Sequence, residues 1–379
     1  MDQAIAALVA AIHNSRYQMV LAVSGGGSTA ASQLLTVPGA SRTILEVTIP
    51  YGTDSFAGYL GRIPQSFCSV TAARALAARS LERARWLAPG ASVIGAGCTA
   101  SLRSERPKLG DHRFHFAFQT DRCITTYSGT LIKGARTREA EEEVVAATFL
   151  NGLAEACGVA QQIPNHFLPG EELSTDRCSD SPLAEFLSGA RPGLCVEADG
   201  CIREPAAVPQ LLLSGSFNPL HHGHVSLAAI ASSSLGKPIA FEMTVTNADK
   251  PPLEDAEIRR RIAQFSWRAR LFLTRAATFA EKARLFSGVS FVVGADTAAR
   301  IVDPRFYGQS EQRRARELAE FRSLGCQFVV AGRSDAEGTF ITLEDLVIPE
   351  SLRDLFVAIP EESFRHDISS TQIRSASGR

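Results

Sequence analysis

The sequence lacks an excess of either charge. Its 39 lysines and arginines stand against 40 aspartates and glutamates over 379 residues, a formal balance of −1. The balance is also local, since 210–379 holds 21 basic and 20 acidic residues. A nucleic-acid-binding chain needs a basic face to neutralise phosphates, so a polyanion partner is not expected. Metal and redox spacings are missing too. None of the eight cysteines (Cys68, Cys98, Cys123, Cys157, Cys178, Cys195, Cys201 and Cys326) forms a Cys-x-x-Cys pair, and the closest two, Cys195 and Cys201, have five residues between them. That argues against a zinc finger or a secreted disulfide scaffold, and no resident metal is expected. Long apolar runs are absent as well: Ala4–Ile12 falls short of the ~20 residues that span a bilayer. The start, Met1-Asp2-Gln3, has no basic n-region. These absences lead us to expect a soluble cytoplasmic protein with no membrane partner.

What is present is ordinary globular composition, 45% hydrophobic and 21% charged, in a chain long enough for two domains. Residues 1–159 alternate strand-like and helix-like segments. The run Met19–Val23 enters Ser24-Gly25-Gly26-Gly27, and Val70, Ala73, Ala77, Leu81, Ala84 and Leu87 recur at helical spacing. Phe114, Phe116 and Phe118 alternate as in a strand, and Glu139, Glu141, Glu142 and Glu143 favour the start of a helix over 137–156. Residues 160–209 are rich in proline and glycine and read as a linker or a small subdomain. The alternation restarts over 210–379, with apolar strands at Leu211–Leu213, Ile239–Val245, Ser290–Val293, Phe328–Ala331 and Leu355–Ile359. The pattern predicts two α/β domains, the second a doubly wound parallel sheet that binds ligands beyond its strand ends.

The unusual residues fall at those ends. Gly215-Ser216-Phe217-Asn218-Pro219-Leu220-His221-His222-Gly223-His224 follows a buried strand and opens a helix. Gly215 and Ser216 let the backbone approach a phosphate, the helix start offers free N–H groups, and His221 and His224 bracket Gly223 so that both rings can face one anion. Nucleotidyl transfer needs such donors, aimed at an α-phosphate whose charge redistributes. Near the C-terminus, Ile368-Ser369-Ser370-Thr371-Gln372-Ile373-Arg374 groups three hydroxyls with a guanidinium one turn later, a set suited to β- and γ-phosphates.

Both motifs resemble those of the nicotinamide/nicotinate mononucleotide adenylyltransferases, His-x-Gly-His members of the nucleotidylyltransferase superfamily with a Rossmann-like fold. The resemblance covers 210–379. It implies that His221 and His224 are catalytic and contact the ATP phosphates. It likewise assigns Gly215, Ser216, Phe217 and Gly223 to the nucleotide loop, and Ser369, Ser370, Thr371 and Arg374 to the β/γ end. Gly294 and Asp296 match the family's Gly-x-Asp element near the riboses, and Lys250 stands where the family has a phosphate-contacting lysine. The implied substrates are ATP, with Mg²⁺, and a mononucleotide. One departure bears on the acceptor: the run 298–306 lacks the tryptophan with which many relatives stack the pyridine ring. A nucleotidylyltransferase of another acceptor (phosphopantetheine, or a CTP-dependent reaction) and a non-catalytic pyridine-nucleotide-binding regulator are the alternatives.

The N-terminal half resembles the nicotinamide-nucleotide amidohydrolases, the C-terminal domain of competence/damage-inducible proteins. The resemblance rests on Ala22-Val23-Ser24-Gly25-Gly26-Gly27, Val37-Pro38-Gly39-Ala40-Ser41, Ile94-Gly95-Ala96-Gly97 and Lys133-Gly134-Ala135-Arg136. It implies that Ser24 is the position of the serine nucleophile. The family's Tyr-Ser-Asn-x-x-Lys pattern is Tyr51-Gly52-Thr53-Asp54-Ser55-Phe56 here, so Phe56 fills the lysine slot, at what reads as a half-buried strand end. A serine without its activating cation is a poor nucleophile. The expectation is a degenerate domain that keeps the fold and serves dimerisation, as a homo-oligomer, or ligand sensing.

Overall fold

The computed structural model describes residues 2–105, 109–203, 209–246, 253–334 and 340–359. They form two compact units, which divide after Ser181. Among the described residues no helix is long and apolar enough to cross a membrane.

The first unit runs α1 (Gln3–His13), β1 (Gln18–Ser24), α2 (Ser28–Thr36), α3 (Ala40–Thr43), β2 (Ile44–Thr48), α4 (Thr53–Leu60), α5 (Val70–Leu87), β3 (Val93–Ser101), β4 (His112–Gln119), β5 (Cys123–Leu131), α6 (Arg138–Ala156) and β6 (Leu173–Ser179). Its sheet has the order β2-β1-β3-β4-β5-β6. Both pairings of β1 are parallel, and the strands from β3 onward are antiparallel. One face buries Met19, Leu21, Val23 and the Phe114, Phe116, Phe118 row against α1, α2 and α6. The other face receives α5, whose Ala73, Ala77, Leu81 and Ala84 form the buried stripe. That helix rides on bare backbone. A Cβ built on Gly95 would lie 2.1 Å from the Ala77 carbonyl oxygen, and one on Gly97 would lie 2.2 Å from that of Ala73.

The second unit runs α7 (Ser181–Leu187), β7 (Gly193–Val196), β8 (Ile202–Arg203), β9 (Leu211–Ser214), α8 (His222–Leu235), β10 (Ile239–Thr244), α9 (Asp255–Ala263), β11 (Leu271–Thr274), α10 (Phe279–Leu285), β12 (Ser290–Gly294), α11 (Ala295–Val302), α12 (Glu311–Ser323), β13 (Gln327–Ala331), a short β14–β15 ribbon (Arg333–Ser334 with Phe340–Ile341) and β16 (Phe356–Ala358). The order of its main sheet is β16-β13-β12-β9-β10-β11-β7-β8. The pairings from β16 to β11 are parallel, and β7 and β8 are antiparallel additions at one edge. Both faces are covered: Leu213, Met243, Val292 and Val329 belong to one core, and Leu212, Phe272, Phe291 and Phe328 to the other. Burial on both sides explains why these strands read as continuous apolar runs.

The stretch 160–209, expected as a linker or small subdomain, is instead shared between the units. β6 completes the first sheet and β7 and β8 extend the second. β7 and β8 are short, and β6 is mostly exposed along an edge, so no long apolar run or clean alternation marks them. The N-terminal unit therefore extends past the expected limit at Val159, and β7 and β8 belong to the C-terminal unit ahead of Gln210.

The α5 contact is open to a stability test. Gly97→Ala should lower stability by ~1–3 kcal/mol, because α5 must lift off the strand to admit a methyl group. Gly58, exposed inside α4 with open space around its Cβ direction, is the control. There alanine should be neutral or gain up to ~1 kcal/mol. Chemical denaturation followed by circular dichroism decides, and an unchanged midpoint for Gly97→Ala would mean that α5 does not depend on this approach.

Candidate functional site

The parallel sheet starts at β9, adds β10 and β11 on one side, then returns to add β12, β13 and β16 on the other. The crossovers from β9 and β12 therefore leave in opposite directions, which opens a crevice at the C-terminal ends of these neighbours. Register places Leu213 beside Val292, so the chain emerges into that crevice at Gly215 and at Gly294. These are the strand ends that carry the Gly-Ser-Phe-Asn-Pro and Gly-x-Asp motifs.

The first loop is fixed from below. The Gly215 N–H donates to the Glu242 carbonyl of β10 at 3.0 Å. A Cβ on Gly215 would fall 2.8 Å from the Phe217 ring, so the position requires glycine. Phe217 adopts a left-handed backbone, φ 46°, and its ring is buried among His224, Phe241 and Phe265, with centroids 5.1 to 5.5 Å away. Ser216 is exposed.

His221 caps the N-terminus of α8, and Gly223 is buried in its first turn. The His221 N–H donates to His224 Nδ1 at 3.3 Å, and the two rings stack at 3.8 Å. With Nδ1 accepting, the hydrogen of a neutral His224 ring sits on Nε2, which makes that nitrogen a donor. Two half-buried imidazoles are thus held together at the positive end of a 14-residue helix. The structure brings together Gly215, Ser216, Phe217, His221, Gly223 and His224 on one turn. On the neighbouring strand end, Gly294 caps α11, and a Cβ there would meet Asp296 Oδ1 at 2.9 Å. Asp296 is exposed in the first turn of α11. Lys250, Ser369, Ser370, Thr371 and Arg374 lie outside the described residues.

The groups behind this loop carry no signature in the sequence. Glu242 is fully buried, with Lys282 Nζ at 2.7 Å and Thr274 Oγ1 at 2.6 Å, so the strand that anchors Gly215 carries a satisfied internal ion pair. On α9, Glu257 accepts from both Arg260 and Arg261. The Arg260 hydrogen bond, working against desolvation and seconded by Arg261, holds the Glu257 carboxyl down at about 2. A lowered carboxyl stabilises the fold above its unfolded value and loses that contribution as pH falls toward 2, so the cluster stays ionised through the neutral range. Phe306, half exposed in the turn Pro304–Tyr307 after α11, lies in the run that lacks tryptophan. Only its environment distinguishes it from a core phenylalanine.

In the first unit Ser24 ends β1, 7% exposed, and its hydroxyl donates to the Pro50 carbonyl at 2.9 Å. A peptide carbonyl cannot take the proton a nucleophile must lose. The helix start beyond it is filled by the protein's own carboxylate: Glu142 accepts from the Gly27 N–H at 2.8 Å, the Thr29 N–H at 3.0 Å and the Ser28 hydroxyl at 3.3 Å. Phe56, expected at a half-buried strand end, lies in α4 and is 1% exposed, its ring 5.4 Å from Phe67. Thr53 and Asp54 open a helix there, and the Phe56 N–H bonds the Gly52 carbonyl.

Residues 212–376 match the cytidylyltransferase-like family. No curated protein matches the chain. Among solved structures, the competence/damage-inducible protein CihA from Agrobacterium tumefaciens is 16% identical, covering 42% of this chain and 96% of its own, with a TM-score of 0.33. A competence-damaged protein (CinA) superfamily protein from Klebsiella pneumoniae is 15% identical over 42% of this chain and 97% of its own, with a TM-score of 0.32. One from Escherichia coli is 17% identical over 40% and 86%, with a TM-score of 0.29. The C-terminal region has a cytidylyltransferase-like domain of the nucleotidyltransferase superfamily.

Proposed function

We propose that the C-terminal unit transfers AMP from ATP to a mononucleotide, nicotinamide or nicotinate mononucleotide. The observation that carries this reading is the stacked His221–His224 pair at the start of α8, set at the reversal of the strand order. In the proposed reaction a phosphate oxygen of the acceptor attacks the α-phosphorus in line, the bond to the bridging β-phosphate oxygen breaks, and pyrophosphate leaves. Mg²⁺ arrives with ATP as part of the substrate. The histidine donors and the α8 dipole stabilise the charge that builds on the α-phosphate oxygens. Ser369, Ser370, Thr371, Arg374 and Lys250 are assigned to the phosphates, and Gly294 and Asp296 to the ribose end. Exchanging both His221 and His224 for alanine should abolish transfer in a folded protein, since loss of one such donor costs ~2.7–4 kcal/mol. Pyrophosphate release within about tenfold of the unaltered rate would remove the histidines from the reaction.

The acceptor end is assigned to Phe306, which offers a half-exposed aromatic face in the run that lacks the tryptophan of many relatives. Phe306→Ala should raise KM for the mononucleotide by about tenfold, the equivalent of ~1.4 kcal/mol of lost stacking, and leave KM for ATP unchanged. A rise in KM for ATP alone would assign this ring to the other substrate.

The N-terminal unit is proposed to keep an amidase-like fold without amidase chemistry and to serve dimerisation or ligand sensing. The Ser24 hydroxyl is engaged with a carbonyl, and Glu142 fills the helix start where an anion would sit. The full chain should release no ammonia from nicotinamide mononucleotide. Ammonia release that disappears in Ser24→Ala would establish an active amidase instead.

A further inference from the structure

We propose that Gln264 is a positioning residue for the histidine pair: its side-chain amide holds the loop between Phe217 and Leu220 and thereby sets where His221 and His224 stand. The inference rests on the reading of this unit as a nucleotidyltransferase. Gln264 caps the C-terminus of α9. Its Nε2 donates to the Phe217 carbonyl at 3.0 Å, and its Oε1 accepts the Leu220 N–H at 2.8 Å. A primary amide presents one donor group and one acceptor in a plane, so it can replace a neighbouring strand for a backbone that has left the sheet. β9 has ended at Ser214, and these two loop groups find their partners on one side chain. Left without it inside a part-buried loop, each would lose a hydrogen bond that folding had to replace.

The placement couples the clamp to the chemistry at two points. Leu220 immediately precedes His221, whose N–H bonds His224 Nδ1. Phe217, tied through its carbonyl, is held at φ 46° with its ring edge-on to His224. A left-handed phenylalanine persists only where its surroundings over-determine it. The rest of α9 reinforces the hold: Arg261 Nη1 donates to the Ser216 carbonyl at 2.9 Å, and Arg260 Nη2 to Asn218 Oδ1 at 2.7 Å. One helix end therefore grips residues 216, 217, 218 and 220. Gln264 acts through the loop and not on the reacting atoms.

The test uses the full chain with Gln264→Leu, which keeps the approximate size and removes both bonds. Circular dichroism should be unchanged, and kcat should fall by about tenfold to 10²-fold, the effect of a small misplacement of reacting groups. KM for ATP should stay within about threefold, because the loop still forms. Hydrogen exchange at the Leu220 amide should accelerate. The variant Gln264→Glu keeps an acceptor for Leu220 but sets a carboxylate oxygen against the Phe217 carbonyl, so its kcat should also fall by about tenfold or more, and it decides the matter if the leucine variant does not fold. A kcat within about twofold of the unaltered chain in a folded variant overturns the proposal. If the unaltered chain transfers no nucleotide at all, the functional reading fails separately. The clamp is then judged by exchange alone, and unchanged Leu220 protection in Gln264→Leu overturns it.

Discussion

In the first turn of α8, the His221 N–H donates to His224 Nδ1 and the two rings stack at 3.8 Å. The C-terminal unit is organised around that contact. It fixes the neutral tautomer of His224, and it holds two imidazoles near the positive end of a helix where the sheet opens a crevice. Most of what surrounds it serves to keep it there. Phe217 supports the His224 ring from the core, Glu242 anchors Gly215 through its carbonyl, and α9 grips the intervening residues. The buried Glu242–Lys282 pair is costly to desolvate, and hydrogen bonding from Thr274 completes it, so removing one partner would leave a charge stranded beneath the loop.

How much of this was legible in the sequence followed from distance along the chain. The His-x-Gly-His loop is local, so strand, turn and helix start could be read together, and the structure places those residues on one turn. Gln264 meets its partners from 44 and 47 residues away, and within its own helix it looks like an ordinary polar position. The same applies to Arg260 and Arg261, which in an Arg-rich helix resemble a solvated face. Central parallel strands announced themselves through continuous apolar runs. β6, an exposed edge strand of composition Leu-Ser-Thr-Asp-Arg-Cys-Ser, has no such pattern because little of it is buried. The motif slot of Phe56 suggests a strand end, whereas the local helix signal of Thr53 and Asp54 decides its surroundings.

The two units handle similar loops in opposite ways. Each has a glycine-containing turn that leads from a parallel strand into a helix start. In the C-terminal unit the turn holds the histidine pair together at the crevice. In the N-terminal unit Glu142 reaches from α6 into the helix start and takes two of its N–H groups, while Arg138 Nη2 donates to the Gly25 carbonyl. Gly25 itself is pressed so close that a Cβ there would overlap the Ala100 carbonyl. A turn closed from within in this manner supports the proposal that the chemistry lies in the other half of the chain.

The most direct measurement is phosphorus NMR of the full chain mixed with Mg²⁺, ATP and nicotinamide or nicotinate mononucleotide. The account predicts equal growth of free pyrophosphate and of a dinucleotide pyrophosphate linkage, with loss of the mononucleotide phosphate signal. Pyrophosphate formed only with CTP or with another acceptor would contradict the proposed substrates. Retention of all starting signals, under conditions where the nucleotides bind, would show that the unit binds nucleotides without transferring them.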